Sequence, residues 1–270
     1  MHPHTRTFHQ LHQSGCFVIP NPWDVGTARA LVRLGFKALA TTSAGAAWAE
    51  GRPDHGVTLE QMLAHLRMMA GAVDVPVNAD FEGGFAVAPE DVAVNVLKAA
   101  ETGIAGLSIE DSSDDTANPL FEFELSVARI RASREAIDRS GTGVLLVGRS
   151  EGFIAGRPDL EETIRRLTAY AAAGADCLYA PGIRDLDAMA AVVRAVAPKP
   201  VNALVGGDFA TVAQLAAVGV RRISVGGALA RTAWTGFLEA AREIAAHGTF
   251  AAFGDTVPHT ELNAFFESDP

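Results

Sequence analysis

A set of carboxylates and one arginine stand at the ends of short apolar runs, where a fold can bring them together: Asp80 and Glu82, Glu110 and Asp111, Arg149 and Glu151. Oxygen donors gathered in this way suit a hard cation such as Mg2+ or Mn2+, and Asp80 and Glu110 are the candidate metal ligands. An arginine among acids anchors an anionic substrate through its planar fork. Arg149 and Glu151 also point the same way and are able to pair with each other. Asp54 follows a proline, precedes a histidine and a glycine, and has no helix to cap, which makes it a candidate for moving a proton. The small residues Ser43, Ala44 and Gly45 let a ligand approach backbone N–H groups, one way to hold a carboxylate. The candidate catalytic residues are thus Asp54, Glu110 and Arg149; the candidate substrate-binding residues are Ser43, Ala44, Gly45 and Arg149.

Eight apolar runs must position these groups: FVIPNPWD (17–24), ALATTS (38–43), PVNADFE (76–82), GLSIED (106–111), LLVGRSE (145–151), CLYAPG (177–182), PVNALVG (200–206) and RISVGG (222–227). Such runs suit strands buried on both faces, and alanine- and leucine-rich stretches with helical spacing separate them. The pattern predicts a (β/α)8 TIM barrel with its chemistry at the carboxyl ends of the strands. In that frame Asn78, Asp80 and Glu82 share one face, and strands about 4.8 Å apart let acids of strands 3 and 4 reach one ion. Asp24 is placed to cap a helix over 25–34 that closes at Gly35. Thr58 and Gln61 form a capping box, and Pro158 and Asp159 open the helix after strand 5. A long Gly/Ala-rich loop is expected after strand 2. Gly206-Gly207 and Gly226-Gly227 follow strands 7 and 8, where many barrels bind phosphate, although tight loop packing explains them as well.

No composition shift or linker divides the 270 residues, 49% of them apolar, so one domain over 1–270 is expected, with residues 235–270 helical and at a subunit interface. A net charge of −10, from 22 basic and 32 acidic residues, disfavours nucleic acid and anionic membrane as partners. No run approaches the ~18 apolar residues of a membrane span, and MHPHTRTFHQLHQ lacks an apolar signal core, so a cytoplasmic placement is expected. Cys16 and Cys177 lie before and at the start of their strands, with no CxxC partner, and read as inert thiols on the amino-terminal face. Four histidines crowd the first twelve residues, without metal-ligand spacing, and read as a frayed or surface segment.

Taken in order, PNPWDVGTARAL, TTSAG with GRPD, NADFEGGF, SIED and GRSEGFIAG resemble the isocitrate lyase / phosphoenolpyruvate mutase superfamily over nearly the whole chain. The resemblance implies a Mg2+-dependent barrel that forms or breaks C–C or P–C bonds in small 2-oxo acids, with an eighth helix swapped between subunits of a homodimer or homotetramer. It matches Ser43, Ala44 and Gly45 to the substrate carboxylate loop and Asp54 to the aspartate beside the reacting carbon. It matches Asp80 to the second aspartate of an Asp-Ala-Asp metal motif, Glu110 to a metal-shell glutamate, and Arg149 to the arginine on the substrate oxygens. Asn78 then stands for the first aspartate of that motif, as in an Asn-Ala-Asp branch, and lowers the charge of the site. The Lys-Lys-Cys-Gly-His loop of isocitrate and methylisocitrate lyases is replaced by EDSSDDTANPLFEFE, which argues against a true isocitrate lyase. Ser112 stands where phosphoenolpyruvate mutases carry a lysine, which weighs against mutase activity.

The first functional reading is a divalent-metal-dependent lyase that cleaves a C–C bond of, or decarboxylates, a small 2-oxo acid or related carboxylate through an enolate. Alternatives are P–C chemistry on phosphonopyruvate, with Asn118 as its donor; a non-catalytic 2-oxo acid binding protein; and a phosphosugar barrel, which lacks a strand lysine or a paired acid–base set.

Overall fold

Parallel pairing of buried apolar strands orders the chain. The structure, a computed structural model, describes residues 2–113 and 115–267. Its strands are β1 (Phe17–Ile19), β2 (Leu39–Ala40), β3 (Val77–Asp80), β4 (Gly106–Glu110), β5 (Leu145–Arg149), β6 (Cys177–Tyr179), β7 (Val201–Leu204) and β8 (Arg222–Ser224). They form one parallel sheet in the order β1-β8-β7-β6-β5-β4-β3-β2. The seam between β1 and β2 is bridged by the Ala40 N–H to the Pro20 carbonyl at 3.1 Å, so the sheet is a nearly closed barrel. This is the expected (β/α)8 TIM barrel. The strands are shorter than the apolar runs, and β3, β4 and β5 end on Asp80, Glu110 and Arg149.

The helices are α1 (Pro3–Leu11), α2 (Val25–Arg33), α3 (Ser43–Ala49), α4 (Leu59–Gly71), α5 (Pro89–Ala100), α6 (Phe123–Ser140), α7 (Leu160–Ala172), α8 (Leu186–Val196), α9 (Val212–Ala217), α10 (Ala228–His247) and α11 (His259–Glu267). Asp24 caps α2 by accepting from the Thr27 N–H, and Thr58 with Gln61 forms the expected capping box on α4. Asp159 is the N-cap of α7 rather than a first-turn residue. One apolar cluster fills the space between strands and helices, where Leu66, Val92, Leu107 and Leu167 meet. A second, with Phe8, Ile19, Leu145 and Val147, fills the lower barrel.

Three regions depart from the sequence reading. The histidine-rich segment is the ordered helix α1: Phe8 is fully buried under the barrel, and the His9 ring lies 2.8 Å from the Gly143 carbonyl. Phe8 supplies the apolar anchor that counting histidines concealed. The stretch after β2 is in part α3, because Thr42 accepts from the Gly45 N–H at 3.2 Å and the alanines that follow favour a helix. Along α10 only Ala230 is buried among the described residues, while Phe237, Leu238 and Ile244 are exposed. Positions 268–270 of the expected C-terminal region lie outside the described residues. Among those described, no helix is long and apolar enough to cross a membrane.

Candidate active site

Register across adjacent strands assembles the mouth. Arg149 ends β5 directly opposite Glu110 of β4 on one side and Tyr179 of β6 on the other. Its Nη1 donates to Asp80 Oδ1 at 3.0 Å and lies 3.2 Å from Glu110 Oε2, while Nε donates to Glu151 Oε1. The guanidinium carbon sits 5.1 Å from the Tyr179 ring centroid. The second oxygen of Asp80 accepts from the Ser43 N–H at 3.0 Å and the Ser43 hydroxyl at 2.9 Å. The second oxygen of Glu110 accepts from the Ser112 hydroxyl at 2.5 Å. Burial opposes charge on Arg149, but Glu110, Glu151 and Asp80 more than restore it, so the guanidinium is held charged. Burial pushes Glu151 up to about 7 although Arg149 pulls it down. Burial likewise lifts the Tyr179 hydroxyl to about 12, so it stays protonated.

A second acidic group adjoins this one. Glu82, just past β3, is buried with a φ of 48°, and its Oε2 meets His55 Nδ1 at 3.3 Å. That bond raises His55 to about 9, and burial raises Glu82 above the usual carboxylate range. Buried Glu82 Oε1 has no partner among the described residues. Arg129 of α6, 1% exposed, donates to the carbonyls of Gly83, Ala86 and Val87 and so holds the loop that carries Glu82. Burial lowers Arg129 to about 10, which leaves it charged at neutral pH.

These donors fit a divalent ion of one kind. Asp80 Oδ1 and Glu110 Oε2 converge on a single guanidinium nitrogen, a point already held by a cation. The orphaned oxygen of Glu82 adds an unmatched acceptor nearby. Among the described residues no group of three or more His, Cys, Asp or Glu has ligand geometry. Asp80 and Glu110 are the residues that would hold a divalent ion here, with water completing its shell.

A cavity of about 160 Å3 opens beside Arg149 and is lined by Ser43, Ala44, Asp54, Asp80 and Tyr179. Asp54 is exposed at its rim, with the His55 N–H on its Oδ1 at 3.0 Å. Gly45 is buried away from the cavity; a Cβ there would meet Thr42 Cγ2 at 2.7 Å and Trp23 Cβ at 2.9 Å. The glycine is required for packing, and of the three small residues only Ser43 and Ala44 face the cavity. Asn78 lies one layer below the mouth, its Oδ1 3.4 Å from Arg222 Nη1. It lines the same cavity, two residues before Asp80 on the same face of β3, and brings an amide there where a carboxylate would add charge.

Asp111 points outward, as the neighbour of inward Glu110 must. It accepts from the Glu151 N–H at 2.7 Å, the Tyr170 hydroxyl at 2.6 Å and Arg166 at 3.1 Å, and so fixes the turn that presents Glu151. Asn118 is exposed and donates to Asp115 at 3.0 Å, outside this cavity. The N–H groups of Val225 and Gly226 are both taken by Asn21 Oδ1 at 2.9 Å. Tyr179, Asn202, Arg222 and Arg129 were not singled out from the sequence. Period-two alternation from Cys177 would have placed Tyr179 on an inward face, but nothing local marks the others.

Carboxylates and an arginine gathered at the strand carboxyl ends stand where barrels of this fold carry their chemistry. The phosphoenolpyruvate phosphomutase family model matches residues 8–245, and the chain belongs to that family. A crystal structure from Burkholderia cenocepacia J2315 superposes with a TM-score of 0.93 at 47% identity, over 98% of this chain and 96% of that one. The structure of 2,3-dimethylmalate lyase, a phosphoenolpyruvate mutase/isocitrate lyase superfamily member, superposes at 0.86 with 26% identity, over 99% and 95%. Oxaloacetate decarboxylase of Chromohalobacter salexigens is 28% identical over 78% of this chain and 74% of its own. The family is one of lyases and mutases.

Proposed function

We propose that this chain is a Mg2+- or Mn2+-dependent lyase that breaks a C–C bond of a small 2-oxo acid, or decarboxylates it, through an enolate. One observation carries the reading: a buried guanidinium, fixed by three carboxylates, borders a small cavity at the strand ends. Ordinary ligand pockets run to ~300–1,000 Å3. Asp80 and Glu110 would hold the ion, with Glu82 close by, and when bound it would supply Lewis acidity toward a developing enolate oxygen. Arg149 presents a preorganised positive charge to that oxygen at no cost of reorientation. The Ser43 hydroxyl and Ala44 N–H border the place for the substrate carboxylate. Asp54 at the rim takes or returns the proton at the adjacent carbon. Protonated Tyr179 stacks under Arg149 and keeps it from swinging away.

P–C chemistry stays the second reading, since the chain belongs to the phosphoenolpyruvate phosphomutase family, but Asn118, its expected donor, is turned to Asp115 outside the cavity. The reading includes a cytoplasmic setting and a homodimer or homotetramer, in which a second copy covers the apolar side of α10 and the exposed Phe250 and Phe253 after it. The test is a panel of three- to six-carbon 2-oxo and 2-hydroxy acids, with Mg2+ or with a chelator, followed by NMR of the products. Metal-dependent cleavage of a panel member is expected; binding without turnover throughout would leave only a binding protein.

A further inference from the structure

A second cavity, of about 420 Å3, lies between the loops that follow β2, β3 and β4 and has Glu110 in its wall. Ligand pockets run to this size. Two buried polar atoms of residues that line it have no hydrogen-bond partner among the described residues. One is Glu82 Oε1, on a residue 8% exposed; the other is Arg129 Nε, on a residue 1% exposed. The polar groups around them are already spent. His55 Nδ1 meets Glu82 Oε2 at 3.3 Å, the Ser112 hydroxyl donates to Glu110 Oε1, and both terminal nitrogens of Arg129 serve the carbonyls of Gly83, Ala86 and Val87. The backbone is constrained there as well. Among the described residues His55, Glu82 and Phe85 are the non-glycine positions of positive φ, at 59°, 48° and 56°, and all three line this cavity. Such backbone persists where its surroundings over-determine it, and it gathers at ligand clamps.

The two unmatched atoms narrow the occupant. A carboxylate oxygen only accepts, and a guanidinium N–H only donates. An anion would satisfy Nε but would stand against Glu82 and Glu110. An ammonium would satisfy Oε1 but would face Arg129 and the His55 ring, which Glu82 holds charged. A metal ion finds no group of three or more ligating side chains among the described residues. A neutral hydroxyl donates and accepts at once, as does a primary amide. The remaining walls are apolar, with Val57, Leu59, Phe85, Val87 and Phe121. Room for a short carbon chain is thus joined to one polar end.

We propose that this cavity is a second binding site, for a short aliphatic chain that ends in a neutral hydroxyl. The hydroxyl donates to Glu82 Oε1 and accepts from Arg129 Nε, and the chain lies on the apolar walls. Glu110 lines this cavity and also contacts Arg149, which lines the first. The hydroxyl therefore belongs either to the far end of a substrate held at Arg149 or to a separate alcohol, and its recognition is the same in both cases. The site does not depend on whether the mouth cleaves a C–C bond.

The test compares 1-butanol and butyramide, which donate and accept, with diethyl ether, which only accepts, and butylammonium, which only donates. Affinities are measured by ligand-observed NMR with Mg2+ present, beside melting curves for each variant. The first two are expected to bind the wild type at least ten-fold more tightly than the other two, since each of these leaves one buried atom unpaired. Glu82→Gln, neutral and of the same shape, should weaken 1-butanol about ten-fold and leave diethyl ether unchanged. Ala86→Leu fills the cavity from its wall with both polar groups in place, and should abolish the binding of 1-butanol. Ether bound as tightly as the alcohol, or an unchanged preference in Glu82→Gln, overturns the inference and leaves Glu82 and Arg129 to water. Should Glu82→Gln not fold, the wild-type panel and Ala86→Leu decide: an alcohol preference that survives the filled cavity contradicts the site. Competition with pyruvate then tells the source. Mutual exclusion makes the hydroxyl the far end of a substrate that spans both cavities, simultaneous binding makes it a separate alcohol, and either upholds the site.

Discussion

Arg149 shares its donors among three carboxylates, so replacing it tests both catalysis and structure. Lysine offers a point charge in place of a planar fork and cannot bridge Asp80, Glu110 and Glu151 together. Arg149→Lys is expected to lower kcat by ~10²–10³ while the protein remains folded, as followed by steady-state kinetics beside a melting curve. A large fall in Tm with near-normal kcat would instead assign Arg149 to holding β5 in place. The cysteines give the opposite expectation. Cys177 is fully buried and its thiol is pushed up, first by burial; Cys16 is pushed up for the same reason. The double variant Cys16→Ala, Cys177→Ala should keep its turnover, because both thiols lie at the amino-terminal ends of their strands, away from the mouth. Loss of turnover in a folded double variant would overturn that placement. At this scale the sequence was legible wherever a charged residue ended an apolar run, as at Asp80, Glu110 and Arg149. It misled at Gly45, whose role depends on close contacts with Thr42 and Trp23 that no local pattern encodes.

Two elements carry the site from below and from the side. Helix α1 seals the floor through Phe8 and His12, and His12 stays neutral when folded. Its folded pKa is about 3 and its ordinary value 6.5, so between these the unfolded chain binds the additional proton. The contribution is complete above pH ~6.5 and is lost progressively as pH falls toward 3, amounting to about 2 kcal/mol by pH 5. Denaturant titrations at several pH values should show His12→Asn with a shallower decline than the wild type over this window. Parallel curves would refute the assignment. On the side, α6 holds the Glu82 loop through Arg129, and the positive φ values of Glu82, Gly84 and Phe85 show how tightly that loop is bent. Arg129→Met leaves three carbonyls without their donor and is expected to cost about 3 kcal/mol. Hydrogen exchange should also quicken at residues 82–87. Unchanged exchange would mean that the loop holds itself. Continuous apolar runs and capping residues forecast the barrel strands and the starts of α2 and α4. α1 escaped because a single buried phenylalanine among histidines is a weak periodic signal.

The whole molecule leaves one long helix largely without cover. Trp234, Phe237, Leu238 and Ile244 recur at helical spacing along α10, and the last three are exposed, which suits burial against a second copy. Light scattering should find a dimer or tetramer, and Phe237→Glu with Leu238→Glu should shift it to monomer at equal concentration; a monomeric wild type would contradict this. The barrel itself was legible from eight apolar runs, because strands buried on both faces leave that record. The cavity was not, since Ser43, Asp80, Arg149 and Tyr179 come from four separate runs and meet only through register. The central claim is that this mouth stabilises the enolate of a small 2-oxo acid, and proton exchange reads it without knowledge of the physiological substrate. Pyruvate incubated with the protein and Mg2+ in D2O should exchange its methyl protons, as followed by NMR, with the rate lost on chelation and reduced at least a hundred-fold in Arg149→Lys. Pyruvate that binds in the presence of Mg2+ yet exchanges no faster than in buffer would contradict the account.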